Sequence, residues 1–151
     1  MQEIPPDHPV RLFSEHWQKL GAAGAVPARQ DFSPIDVPAL LPYLVVQELV
    51  ETGTGLDLRT RLEGEFLVSL TGGRNVGNSL RNILGAAEYQ ARLVEAEEIR
   101  QAREMHFSEI EARDHVGDMH KLFRGTFPFV LEEDKIGQFF TVMGDRHVTL
   151  L

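Results

Sequence analysis

The chain has 151 residues, 42% hydrophobic and 25% charged, which suits one domain with a real core. A net charge of -8, with Lys and Arg scattered rather than clustered, argues against a nucleic-acid surface. The absence of cysteine excludes disulfide scaffolds, thiol nucleophiles and thiolate metal sites. No apolar run reaches membrane length and the first residues lack a secretory signal, so the expected compartment is the cytoplasm.

Residues 1–8 are expected to form a disordered lead. Asp7 or His8 then precedes Pro9, which suits a first helical turn. Val10, Phe13, Trp17 and Leu20 recur at helical spacing and Gly21 is a stop, which predicts a helix over 9–20. Pro34 and Pro38 break the following connector into short turns. Residues 44–50 read as a strand, 51–55 as a turn, and 56–63 as a second strand. In that second strand Leu56, Leu58, Thr60 and Leu62 alternate with a wet set, Asp57, Arg59, Arg61 and Glu63.

The period then changes. Residues 65–70 and 79–84 predict short helical pieces, and 86–102 a longer helix. Three strands follow, at about 103–111, 119–131 and 136–145, with residues 147–151 extending or trailing the last. Two strands, helices, then three strands make an α+β domain with one antiparallel sheet. Alternation puts Phe123 and Phe127 on one sheet face and Leu122 on the other, while Phe139 and Phe140 point opposite ways. Both faces therefore need cover. The helix carrying Phe13 and Trp17 is the candidate for one of them, on its own sheet or on a partner's.

No catalytic constellation assembles. Gly72-Gly73-Arg74-Asn75-Val76-Gly77 matches neither phosphate-cradle pattern and reads as a connection between short helices. Arg74 could meet an acidic ligand, with an internal salt bridge as the plainer alternative. Asp114, His115, Asp118 and His120 gather on one turn, but their spacing fits a solvated turn better than a metal site. His106 reads as a partly exposed strand residue rather than a haem ligand. No GxSxG elbow occurs.

One resemblance spans roughly residues 10–145. It rests on Trp17, the 27–34 stretch Pro-Ala-Arg-Gln-Asp-Phe-Ser-Pro, Leu41-Pro42, Arg61-Leu62-Glu63-Gly64, Gly73-Arg74-Asn75-Val76-Gly77 and Phe127-Pro128-Phe129. In this order the chain resembles the PAS domain, particularly a bacterial subgroup of small, near-stand-alone proteins. The resemblance implies a five-stranded antiparallel sheet with helices on one face and an extra N-terminal helix. The expected division is a lead (1–8), a helix and connector (9–42) and a core (43–147). It also implies a sensory module that is not an enzyme, with any small ligand held between sheet and helices.

On that implication the candidate cavity residues are Phe66, Leu70, Arg74, Asn75, Leu80, Leu84, Tyr89, Phe123 and Phe127. Helices preceding such domains often mediate dimers, which makes Val10, Phe13, Trp17 and Leu20 the candidate dimer surface. No attached effector segment is expected, so output is expected through a separate partner or a homodimer. No cofactor is specified, and without cysteine a flavin–cysteine adduct is excluded. The alternatives are a purely structural interaction module without ligand and a small cofactor-binding enzyme.

Overall fold

The computed structural model describes residues 3–150. Helix α1 spans Pro9–Leu20. His8 Nδ1 accepts from the Val10 N–H at 3.1 Å, and Pro9 needs no partner at the first helical position. Four single-turn or short 3-10 pieces then fill residues 22–43. Strands β1 (Leu44–Thr52) and β2 (Gly55–Glu63) form a hairpin. Helix α2 (Glu65–Thr71) stops at Gly72 with φ 83°. A 3-10 turn (Leu80–Asn82) leads to α3 (Ala86–Ala102). Strands β3 (His106–Arg113), β4 (Met119–Glu132) and β5 (Lys135–Asp145) complete the fold.

The sheet order is β2-β1-β5-β4-β3, antiparallel at every pairing. This is the expected five-stranded sheet with its helices and an added N-terminal helix. β3 starts later than expected because Arg103 takes a left-handed conformation, φ 56°, that ends α3. The helical piece expected at 79–84 is only the one 3-10 turn.

One face of the sheet is aromatic and lies under α1. The Phe13 ring sits 4.9 Å from Phe127, edge to face, and 6.0 Å from Phe140 and from Phe32. Trp17 Nε1 donates to the Pro128 carbonyl at 2.9 Å. Pro128 is tolerated inside β4 because β3 pairs no further along it than Thr126, so the missing N–H falls where no strand needs it. The other face carries Leu122, Arg124, Thr126, Thr141 and Met143 toward α2 and α3.

Two expectations are corrected here, and one open alternative is decided. The lead is not disordered over residues 3–8: Ile4 and His8 are buried, and Arg11 donates to the Ile4 carbonyl at 2.7 Å. Met1 and Gln2 of that lead lie outside the described residues, as does Leu151 at the other end. Of the two readings for the chain after the last strand, trailing holds over residues 146–150, since Asp145 closes a turn with Val148. Asp57, expected on the wet face of β2, is buried because Ser79 and Tyr89 fold over that edge strand and donate to it, each at 2.6 Å.

Candidate functional site

Between the polar face of the sheet and the helices lies a cavity of about 650 Å³, within the usual range for small-molecule sites. All five strands contribute to it, with α2, the 3-10 turn and α3 opposite. Its walls are aliphatic, with Leu67, Leu70, Leu80 and Leu84 from the helical side and Ile110 and Leu122 from the sheet. Its floor is polar. Thr60 and Thr141 come from strands at 1% and 2% exposure, Arg124 is 5% exposed, and Arg92 reaches in from α3.

Of the nine expected cavity residues, the fold brings four to this space: Leu70, Asn75, Leu80 and Leu84. Phe66 instead packs against Tyr43, with tilted rings whose centres are 5.6 Å apart. Arg74 is exposed and paired with Glu65 at 2.7 Å, so the plainer alternative holds for it. Tyr89 is buried and donates to Asp57 Oδ1, so its hydroxyl is engaged away from the cavity. Phe123 and Phe127 are corrected outright. They occupy the opposite face of the sheet, under α1, because residues two apart in β4 share a face and Phe13 claims that one.

The expected dimer surface is corrected for the same reason. Val10, Phe13 and Trp17 are buried against this chain's own sheet, and Leu20 packs at the margin of the same core. That stripe is not available to a partner.

Sequence reasoning missed the charged group behind the floor. Glu95 Oε2 accepts from Arg124 Nη1 at 2.7 Å and from His106 Nδ1 at 2.9 Å, while Arg92 Nη1 stands 3.7 Å from Glu95 Oε1. Burial pushes the Glu95 carboxyl up, but Arg124, then Arg92 and His106, outweigh it and hold the group below the usual range. Burial, followed by the charge of Arg124, lowers the Arg92 guanidinium. Burial also raises Asp57, yet the Ser79, Tyr89 and Arg59 hydrogen bonds prevail and leave it lowered. The Glu88, Arg92, Glu95 spacing on α3 was the visible signal, and it reads as ordinary surface helix pairing unless β4 supplies Arg124.

The wall formed by α2 is held by the turn after β3. His115 donates its backbone N–H to the Leu70 carbonyl at 2.9 Å and its Nδ1 to the Ser69 carbonyl at 3.1 Å. Gly72 lets this turn approach, since an added Cβ would stand 2.7 Å from the His115 ring. The turn is knotted by Asp114, which accepts from the Val116 and Asp118 amides and from His120 Nε2 at 2.8 Å. His120 Nδ1 faces Asp145 Oδ1 at 3.3 Å. The bond to Asp114, then the one to Asp145, raises the His120 imidazole above its ordinary value. Asp114, His115 and His120 of the expected turn cluster are thus tied to the protein itself.

This architecture has counterparts. A PAS domain family model matches residues 6–124. Among solved structures, the PAS domain of a protein from Colwellia psychrerythraea is similar over 76% of this chain and 95% of its own, at 12% identity and TM-score 0.53. The light-state structure of the blue-light photoreceptor Aureochrome1 LOV is similar over 73% of this chain and 85% of its own, at 9% identity and TM-score 0.50. Among curated proteins no sequence matches this chain. With its sheet order, its helices over one face and a family model covering most of its length, the chain belongs to the PAS domain family.

Proposed function

We propose that this protein is a non-catalytic regulatory module whose cavity takes a small molecule and whose response passes to a partner protein or a second copy. The observation that carries this reading is the 650 Å³ cavity itself, with aliphatic walls and a buried polar floor. A PAS domain without ligand would be expected to fill that space with side chains. PAS domains generally act as sensory modules, which agrees with this reading. Because the apolar stripe of α1 is spent on its own sheet, contact with a partner uses other surfaces. In keeping with transmission, the β3–β4 turn grips α2 at one side of the cavity and is linked through His120 to the end of β5.

The test is a fragment library screened by NMR at millimolar concentration. The reading expects hits whose shifts map to the cavity lining and disappear in a cavity-filling Leu70→Trp variant that retains its fold. A screen without hits there contradicts it and favours a structural interaction module.

A further inference from the structure

Polar groups at the cavity floor lack partners. Thr141 lines the cavity at 2% exposure, and its Oγ1 makes no hydrogen bond among the described residues. Arg92 lines the same cavity, and its Nε is equally unpartnered. Thr126 stands directly across from Thr141 in the β4–β5 register, and its hydroxyl has no partner either. A buried polar group left unpaired costs on the order of 1–3 kcal/mol, so such groups are normally met by ordered water or a ligand.

The charge balance gives the ligand a sign. Arg92 and Arg124 share one carboxylate, Glu95, which lies behind the floor. Two guanidiniums against one carboxylate leave a surplus positive charge beside Thr141. The remaining charged lining, Glu63, Glu88, Glu111 and Arg113, is half-buried or exposed, whereas Arg124 and Glu95 are buried. Glu63 keeps its charge and accepts from the Asn75 backbone amide. Glu88, which acts on Arg92, is exposed at the rim with Glu111 and Arg113, where water screens them. A phosphate, with a charge of about -1.5 to -2, would want more than this single surplus. A carboxylate matches it, and the aliphatic walls ask for an apolar body.

Resting on the reading that the cavity is a ligand site, we infer that its ligand is an amphipathic carboxylic acid. The carboxylate accepts from Arg92 Nε and Thr141 Oγ1 beside Arg124, and the apolar body lies against Leu70, Leu80, Leu84 and Leu122.

The probes are octanoate and its neutral counterpart 1-octanol, titrated by calorimetry into wild type, Thr141→Val and Arg92→Gln. Octanoate is expected to bind about tenfold more tightly than 1-octanol, the worth of roughly one charge-assisted hydrogen bond. Each variant should weaken octanoate about five- to tenfold while leaving 1-octanol unchanged. Without ligand, Thr141→Val should unfold at the same urea concentration as wild type or a higher one, because it removes an unpaired hydroxyl and keeps the shape. That control separates lost binding from lost fold. Equal affinity for the two probes, or equal loss of both in the variants, overturns the carboxylate and leaves the cavity reading standing. Failure of both probes to bind wild type overturns the carboxylic acid, and with an empty fragment screen it overturns the cavity reading too.

Discussion

Glu95 Oε2 and Arg124 Nη1 meet at 2.7 Å across the space between α3 and β4, with both side chains at or below 10% exposure. This pair ties the helical lid to the sheet at the cavity floor. Removing one partner of a buried pair strands the other charge, which costs about 3–5 kcal/mol. Arg124→Met should therefore destabilise by roughly that amount, while Arg124→Met with Glu95→Met should recover most of it. Urea unfolding of the two variants against wild type reads the difference.

Phe13 is the centre of the aromatic face. Its truncation to Ala removes contacts with Phe127, Phe140 and Phe32 and should cost about 3–5 kcal/mol. Because the residue is interior, the loss should show as a lower unfolding midpoint. The folded fraction should keep the wild-type mass by light scattering. A variant of wild-type stability and altered mass would return Phe13 to an interface.

The strands, the two long helices and the turns were legible in the sequence because their signals are local. Period-two alternation, Pro9 and Gly21 around the first helix, and the apolar stripe of α1 need no tertiary knowledge. Alternation also separated Phe123 and Phe127 from Leu122. It could not say which set faces the cavity, because a strand's parity is indifferent to what covers each side. That choice is made by α1, whose Phe13 and Trp17 fit the aromatic side and leave Arg124 and Thr141 to the cavity. The Glu95 cluster was hidden for a related reason: its members lie on α3, β3 and β4, and no spacing in the chain announces them. Asp57 read as wet because the segment that covers β2 arrives from residues 77–79, beyond any local pattern.

Gly64 joins β2 to α2 where an added Cβ would stand 2.3 Å from the Leu41 and Pro42 carbonyl oxygens. Those are backbone atoms and cannot swing aside. Gly64→Ala should therefore cost about 1–3 kcal/mol or more by overpacking. Gly73→Ala, which meets nothing within 4 Å, should be close to neutral, and thermal unfolding of the two distinguishes them.

Two histidines give pH dependences of opposite sign. His120 is raised, chiefly by its hydrogen bond to Asp114, so its contribution is complete below its unfolded value near 6.5 and is lost as pH rises through the higher folded value. The stability advantage of wild type over His120→Gln should shrink as pH is raised above 6.5. His8 is lowered by burial. Its Nδ1 accepts from Val10, so the neutral ring carries its proton on Nε2 and donates to the Asp145 carbonyl at 3.0 Å. Protonation opposes that arrangement, so stability should fall as pH drops below 6.5 toward the depressed folded value. His8→Asn keeps a helix cap and should blunt this acid loss. Urea midpoints across about pH 4.5 to 8.5 check both signs, a window of about 2 units on either side of the free imidazole value.

The most direct test of the account is amide chemical-shift mapping of the whole protein with octanoate. The account predicts saturable shifts at Leu70, Leu80, Thr141 and Met143, with Phe13 and Phe127 under α1 unmoved. Shifts centred on the α1 face, or none at saturating octanoate, would contradict it.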